Sequence, residues 1–308
     1  MTISIIIPNY NGESLLKKNL PKIFAELENF KLGKSEVIIV DDASTDNSLS
    51  VLNELAIDRN IKVLLSEKNL GFSPTVNKGV EAASGEIIIL LNTDICPEKG
   101  FLEPLLTHFQ DKEVFAVGCL DRSIEGEKTV LRGRGLGEWK RGFLIHRKGE
   151  ANKTNTLWVS GGSGAFRKAI WGHLGGLSEL YAPFYWEDID ISYRALKSGY
   201  KIMFEPRSVV VHEHEKGAIK AKYSDFQIKT IAYRNQFIFA WSNADSDLLL
   251  SHVLWLPYHK IKALLRFDWA FFLGFFKALL LVPEILNARH KAQKLFIKKD
   301  EEVIREFV

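Results

Sequence analysis

The first 91 residues alternate between two hydrophobic periodicities, and this alternation constrains the fold more than any other feature of the chain. Residues 3–7, 36–40, 61–65 and 86–91 are short, largely apolar runs, as in strands buried on both faces. Between the first two runs, apolar side chains recur at helical spacing at Leu16, Leu20, Ile23, Leu27 and Phe30. Strands that alternate with helices predict an α/β protein whose central sheet is Rossmann-like and mainly parallel, with helices on both faces.

The rest of the chain falls into parts of different character. Residues 120–156 are rich in Gly, Arg and Lys and predict a long basic loop. Residues 157–159 predict a strand, residues 187–198 a helix and residues 201–212 an extended segment. After Ser224, helical segments rich in Leu, Phe and Trp are interleaved with Lys and Arg. We therefore predict a domain over 1–223, divided into 1–119, 120–156 and 157–223, followed by a helical region over 224–308.

Composition and charge argue against several classes of protein. The net charge of +3 is too small to indicate a nucleic-acid partner. The two cysteines, Cys96 and Cys119, form no C-x-x-C pair, which argues against a disulfide framework or a structural zinc site and is typical of the cytoplasm. We expect no signal peptide. The sequence contains no run of about 18 uncharged apolar residues, so it predicts no membrane-spanning helix.

Polar residues follow three of the predicted strands at the point where each strand ends. Residues 8–12 read Pro-Asn-Tyr-Asn-Gly, residues 41–46 Asp-Asp-Ala-Ser-Thr-Asp, and residues 92–94 Asn-Thr-Asp. Ligands of doubly wound sheets bind outside the carboxyl ends of the strands. Taken alone, Asp41-Asp42 would suit an Asx turn that caps the next helix. Together, the three strand ends favour a ligand site.

Seven short segments then resemble, in order and spacing, the family 2 glycosyltransferases with the GT-A fold. They are residues 4–12, 37–46, 69–72, 77–79, 91–94, 161–167 and 186–188, and the resemblance spans roughly residues 2–215. One departure is Asn92, which stands where the family's Asp-x-Asp motif begins. In this respect the chain resembles the rhamnosyl- and galactofuranosyltransferase-like members. The missing carboxylate could weaken metal binding, although Mg²⁺ often needs only one or two carboxylates and phosphate oxygens.

The resemblance implies a nucleotide site and a metal site. Asp42 would accept a hydrogen bond from a uracil- or thymine-type base. Asp94 would coordinate Mg²⁺ or Mn²⁺, and the family's metal-binding histidine falls on His212, with His214 as the fallback. The residues expected to contact the nucleotide are Pro8, Tyr10, Asp42, Asn69, Phe72 and Asn92.

Asp188 is the candidate catalytic base. It lies in the first turn of a predicted helix after the aromatic run 184–186, and apolar surroundings raise the pKa of a carboxyl group. Trp186, Glu187 and Gly162 are expected to contact the acceptor. The alternative for Glu187 and Asp188 is that both acids only complement the helix dipole.

The predicted function is therefore an inverting, metal-dependent transfer of sugar from a UDP- or dTDP-type donor. The acceptor would be a saccharide or lipid-linked saccharide in cell-surface polysaccharide synthesis. Two alternatives are a catalytically inactive membrane-surface scaffold and a sugar nucleotidyltransferase. A dinucleotide-dependent dehydrogenase is not favoured, because G-x-G-x-x-G is missing after the first strand.

The helical region 224–308 predicts attachment to a membrane surface. Its aromatic and basic residues suit helices that lie on an anionic leaflet, and the expected location is the inner face of the cell membrane, peripherally attached on the cytoplasmic side. A homodimer interface or a cap on the α/β domain is the competing interpretation.

Overall fold

The computed structural model describes residues 1–57, 61–213 and 222–307. Strands β1 to β11 are Thr2–Asn9, Lys34–Asp41, Ile61–Leu65, Ile87–Leu91, Ile95–Pro97, Val114–Glu125, Lys128–Arg132, Gly135–Lys140, Phe143–Lys148, Ser163–Arg167 and Lys201–Glu213. Helices α1 to α11 are Glu13–Glu28, Ser48–Ile57, Phe72–Ala82, Leu102–Thr107, Lys168–Leu174, Glu187–Lys197, Asp225–Asn243, Ser246–Leu265, Trp269–Leu279, Val282–Gln293 and Asp300–Ile304.

The first half of the chain forms the parallel part of the central sheet. The strand order is β3-β2-β1-β4-β10-β6-β11-β5, with β7 paired to β6, and β1 to β4 are all parallel. The apolar runs of β1, β2 and β4 are almost completely buried because both faces of the sheet are covered. The predicted α/β class is confirmed, since the sheet carries helices on its faces and hydrophobic clusters on both sides.

Beyond β4 the sheet is mixed. Strand β10 runs antiparallel to both β4 and β6, with Ser163 opposite Leu91. Since β10 begins opposite the end of β4, the segment that precedes β10 lies beside residues 92–94. Strand β11 runs parallel to β6 and antiparallel to β5, with His212 opposite Ile95. Residues far apart in sequence therefore meet at the carboxyl end of β4.

The prediction of a long irregular loop over residues 120–156 is wrong. Strand β6 continues to Glu125, β7 pairs with it, and β8 and β9 form a hairpin. The frequent Gly, Arg and Lys residues obscure the alternation of apolar and polar side chains that marks a strand. In addition, the two-residue turn between β8 and β9 consists of Arg141 and Gly142, both at positive φ, instead of the usual Asn-Gly.

The strand predicted at residues 157–159 is also misplaced. Residues 157–159 do not pair with any strand of a sheet. The strand of this region is β10, and the sequence did not reveal it because its small residues are also typical of a glycine turn. Leu157 and Val159 are nevertheless buried, because their side chains belong to the core beneath the sheet.

Helices α7 to α11 pack against the α/β domain. Phe237, Phe239, Phe271 and Val303 belong to the same hydrophobic cluster as Phe166 of the sheet. The side chain of Lys197 at the end of α6 is fully buried, and its ammonium donates to the carbonyl of Asn243 at 2.9 Å and to Asp245 at 2.6 Å. The C-terminal helices are thus continuous with the core, while a domain boundary at residue 223 stays a prediction.

No single helix within the described ranges is both long and apolar enough to cross a membrane. Helices α9 and α10 meet the length and composition requirement together, with a bend of 70° between them.

Candidate active site

The ends of β1 and β2 are joined by the side chain of Asp41. Its carboxylate accepts hydrogen bonds from Nδ2 of Asn9 at 2.7 Å and from the amide and hydroxyl of Ser44 at 2.9 and 2.6 Å. Asp41 is 2% exposed, and these hydrogen bonds stabilise the turn. The Asx-turn interpretation therefore describes Asp41.

Asp42 holds a second loop against the sheet edge. Its carboxylate accepts from the amides of Leu70 and Gly71 at 3.0 and 2.9 Å, and its backbone carbonyl lies 3.4 Å from Nδ2 of Asn69. Gly71 has a φ of +92°, which glycine adopts without strain. The loop at residues 69–71 is thereby fixed beside the predicted base-binding aspartate.

Two aromatic residues predicted to contact the nucleotide border this loop. The ammonium of Lys222 lies 5.0 Å from the ring centre of Tyr10 and 3.5 Å from Oδ1 of Asn69. Phe72 begins α3, and a Cβ placed on Gly161 would lie 3.2 Å from its ring, so the two residues are in contact. Pro8 is the penultimate residue of β1 and is partly buried at the same edge. The structure therefore brings the predicted nucleotide residues to one edge of the sheet.

Asn92 and Gly162 are in direct contact. The amide of Asn92 donates to the carbonyl of Gly162 at 2.9 Å, and a Cβ at Gly162 would lie 2.7 Å from Nδ2 of Asn92. A side chain at Gly162 would therefore require the Asn92 amide to move. Oδ1 of Asn92 is buried and, in the part of the chain that the structure describes, has no hydrogen-bond partner.

Asp94 and His212 form the pair that the resemblance implies for the metal. Nε2 of His212 lies 3.1 Å from Oδ2 of Asp94, and the second ring nitrogen, Nδ1, lies 3.1 Å from Oδ2 of Asp121. Burial lowers the pKa of His212, but the hydrogen bonds and charges of Asp121 and Asp94 outweigh this effect and raise the pKa to about 9. Without a metal the imidazole is thus held as a cation between two carboxylates.

Asp121 is a site residue that the sequence prediction missed. Its other oxygen, Oδ1, accepts from the hydroxyl of Ser123 at 2.9 Å. Histidines that bind metals commonly donate their second ring N–H to a carboxylate, which fixes the tautomer. Asp121 provides that carboxylate and leaves Nε2 directed towards Asp94. No local motif marks Asp121, because its contact with His212 depends on the pairing of β6 with β11.

The residues around Asp94 suit a divalent cation that a ligand helps to coordinate. Oδ1 of Asp94 is buried and has no hydrogen-bond partner within residues 1–57, 61–213 and 222–307. Over the same ranges, no group of three or more His, Cys, Asp and Glu side chains forms a metal site. Asp94 and His212 would therefore provide two ligands, and a diphosphate and water would complete the shell. The fallback ligand His214 lies outside the described residues.

Asp188 lies in the first turn of α6, close to Gly161. Its Oδ1 accepts from the amide of Ile189 at 2.8 Å, and Oδ2 lies 3.4 Å from the amide of Gly161. Burial raises the pKa of Asp188, an effect that these two backbone amides partly oppose. Asn92, two residues before Asp94, contacts Gly162, and the adjacent Gly161 contacts Asp188. These contacts connect the segment that carries Asp94 to the predicted base.

Glu187 is buried beside Asp188. It is 7% exposed, and Oε2 has no hydrogen-bond partner in the described chain. Burial and the neighbouring charge of Asp188 raise the pKa of Glu187 to about 8. Near neutral pH its carboxyl group is therefore mostly protonated and can donate a hydrogen bond. The alternative interpretation, in which Glu187 only complements the helix dipole, requires the ionised form of the acid.

The loop before α6 is held in an unusual backbone conformation. Tyr185 and Trp186 have φ angles of +72° and +77°, a region in which residues other than glycine are strained by about 1–3 kcal/mol each. Trp186 is 7% exposed, and its ring lies edge-on to His146 at 5.2 Å. The side chain of Trp186, predicted to contact the acceptor, therefore lies mostly in the hydrophobic core and leaves little surface open to an acceptor.

Asn235 of α7 fixes this loop and was also missed by the sequence prediction. Its fully buried Nδ2 donates to the carbonyls of Tyr181, Phe184 and Tyr185 at 3.0, 2.9 and 2.8 Å. The adjacent Arg234 donates to the carbonyl of Ala182. A helix of the region 224–308 therefore determines where the chain enters α6 and where Asp188 lies.

Comparison with known proteins agrees with this geometry. A family model described as glycosyl transferase family 2 matches residues 4–174. The O-antigen chain rhamnosyltransferase WbaN of Salmonella anatum is 26% identical over 220 residues, which cover 69% of this chain and 66% of that protein. The match spans less than half the length of several other curated relatives, among them 35% of a dolichol-phosphate mannosyltransferase of Pyrococcus furiosus, at 29% identity over 42% of this chain.

A solved structure extends the fold match over almost the whole chain. S. aureus TarS 1-349 in complex with UDP-GlcNAc superimposes with a TM-score of 0.62 at 17% identity, covering 99% of this chain and 90% of that one. The GT-A fold predicted from the motifs is therefore confirmed.

Proposed function

Because the chain belongs to glycosyltransferase family 2, we propose that it transfers a sugar from a nucleotide-sugar donor to an acceptor hydroxyl group, with inversion at the anomeric carbon. The observation that carries this proposal is the meeting of two distinct groups at one sheet edge. Asp94 and His212, 3.1 Å apart, are the pair that would bind the metal, and Asp188 lies beyond Gly161 and Gly162.

Asp94 and His212 would hold Mg²⁺ or Mn²⁺. When bound, such a cation neutralises the negative charge that develops on the departing nucleoside diphosphate. Asp42, Tyr10 and the loop at residues 69–71 would bind the nucleoside, preferably with uracil or thymine as the base. The glycines at 161–162 allow the backbone to approach the transferred sugar closely.

Asp188 would act as the base. Its carboxylate accepts the proton of the acceptor hydroxyl, whose oxygen forms a new bond to the anomeric carbon while the bond from that carbon to the diphosphate oxygen breaks. One direct displacement inverts the configuration. The protonated Glu187 would donate a hydrogen bond to a second acceptor oxygen, and Gly162 and Trp186 would limit the space available to the acceptor.

We propose a saccharide or lipid-linked saccharide as acceptor, in the synthesis of a cell-surface polysaccharide. The relative WbaN is named an O-antigen chain rhamnosyltransferase, and it shares two thirds of its length with this chain. A cytoplasmic location suits the two cysteines, which are both free thiols.

A donor screen tests the proposal. Purified protein is incubated with UDP-, dTDP- and GDP-sugars and Mn²⁺, and the released nucleoside diphosphate is measured. We expect one donor class to release nucleotide, and EDTA to stop the release. An inactive scaffold would bind a donor without releasing nucleotide, and a nucleotidyltransferase would form pyrophosphate from a sugar phosphate and a nucleoside triphosphate; either result would overturn the proposal.

A further inference from the structure

Helix α8 presents an apolar face to solvent. Leu250, Leu254, Ile261 and Leu265 recur at helical spacing on this face, and their exposed fractions are 61, 70, 59 and 75%. The opposite side of α8 is buried against the turn between β8 and β9, where Nδ1 of His252 lies 2.8 Å from the carbonyl of Gly142. The orientation of the helix is therefore fixed by its buried side, and the exposed apolar face has no partner among the described residues.

Helix α9 and the turns at its two ends also expose large apolar side chains to solvent. Phe267 in the first turn is 78% exposed, and Trp269, Phe276 and Leu280 are 57, 57 and 65% exposed. The other side of α9 packs closely on α7, since a Cβ at Gly274 would lie 2.9 Å from the backbone nitrogen of Arg234. These exposed residues of α8, α9 and the two turns are called the α8–α9 face. Soluble proteins rarely expose so many large apolar side chains together.

The charges around the α8–α9 face are predominantly positive. Lys262, Arg266 and Lys277 are exposed beside it. Between residues 248 and 283 the sequence contains one acid, Asp268, and its carboxylate is engaged by Lys229 at 2.8 Å and by the hydroxyl of Tyr233 at 2.7 Å. The face therefore combines apolar side chains with unneutralised cations.

We propose that the α8–α9 face binds the surface of an anionic lipid bilayer, with α8 and α9 lying in the plane of the interface. Each helix has only one exposed apolar side, which suits insertion to the depth of the headgroups. Aromatic residues such as Trp269 and Phe267 suit that depth, and the three cations would contact anionic headgroups. A second copy of the chain is a poorer occupant, because a symmetric contact would bring the same cations together.

Vesicle co-sedimentation of the 308-residue chain tests this proposal. We expect the protein to pellet with vesicles of phosphatidylcholine mixed with phosphatidylglycerol and much less with phosphatidylcholine alone. The triple variant Leu254→Glu/Leu265→Glu/Phe267→Glu should lose binding by at least about tenfold, because three apolar contacts become anionic. Replacing Lys262, Arg266 and Lys277 by Ala should reduce binding to the anionic vesicles by roughly fivefold per cation.

The matched control is Leu32→Glu/Leu49→Glu/Leu131→Glu, which changes three exposed leucines elsewhere on the surface. It should bind vesicles like the wild type, and all three triple variants should keep the wild-type melting temperature within a few degrees. The proposal is overturned if the wild type does not pellet with anionic vesicles, or if the Leu254→Glu/Leu265→Glu/Phe267→Glu variant binds them as well as the matched control. It is also overturned if sedimentation velocity shows a dimer that the first triple variant dissociates while vesicle binding persists. Nucleotide release, measured separately, does not decide this proposal.

Discussion

Replacing Asn235 by Leu should separate the position of the catalytic loop from nucleotide binding. Leu has the same number of side-chain heavy atoms and a similar branched shape but removes the two N–H donors that reach three carbonyl groups of residues 181–185. Three lost hydrogen bonds and buried carbonyls left without donors together cost about 2–5 kcal/mol in the free energy of unfolding. The strained backbone at Tyr185 and Trp186 would then relax and shift Asp188.

A shift of about 1 Å at a reacting group lowers the rate roughly a hundredfold. We therefore expect kcat for Asn235→Leu to fall by about that factor, measured at a temperature where the variant is folded. The affinity for the nucleoside diphosphate should stay within about twofold, because Asp42 and Asp94 do not contact Asn235.

The matched control is Gln236→Leu, the next residue on α7, whose Nε2 lies 3.5 Å from the carbonyl of Leu144 and does not touch the loop. Urea unfolding gives the free energy, and calorimetry gives the nucleotide affinity. If Asn235→Leu loses stability but keeps full kcat, or loses activity no more than Gln236→Leu, α7 does not position the base.

Substitutions at three further residues test individual side chains. Asp188→Asn should abolish sugar transfer and leave nucleotide binding nearly intact; loss of both, or of neither, contradicts its role as base. Since burial raises the pKa of Glu187 to about 8, the residue carries a proton near neutral pH, so Glu187→Gln should keep most of kcat/KM for the acceptor while Glu187→Ala should not. Equal damage by the two changes would count against a donor role. Asp121→Asn should weaken Mn²⁺ binding by about 10–100-fold in an electron paramagnetic resonance titration, and an unchanged affinity would show that His212 needs no carboxylate to orient it.

The parallel half of the fold could be predicted because its signal is local. Strands β1, β2 and β4 are continuous apolar runs that end in turn residues, so both the elements and their polar ends are visible in the sequence. For the same reason, the sequence alone predicts that the ends of three strands lie at one edge of the sheet.

The mixed half could not be predicted in the same way, because its strands depend on partners distant in sequence. Strand β6 continues into the region expected to be a loop because it pairs with β7 and with β11. Asp121 acquires a role only through that pairing, 91 residues before His212. Asn235 resembles any other polar residue of a helix until its three carbonyl partners are known.

The resemblance supplied Asp94 and His212 together, and the structure places them 3.1 Å apart although 118 residues separate them. It also implied a base-binding role for Asp42 and none for Asp41. In the structure the two carboxylates accept different hydrogen bonds, since Asp41 accepts within its own turn while Asp42 accepts from the loop that borders the predicted nucleotide site.

The affinity for a nucleoside diphosphate with and without Mn²⁺, compared between the wild type and Asp94→Ala, tests the central claim most directly. If Asp94 and His212 hold a cation that the diphosphate also binds, Mn²⁺ should strengthen UDP or dTDP binding to the wild type by at least about tenfold. Asp94→Ala should remove that enhancement and leave metal-free binding unchanged. An equal enhancement in both proteins, or none in the wild type, would contradict the metal site on which the proposed reaction depends.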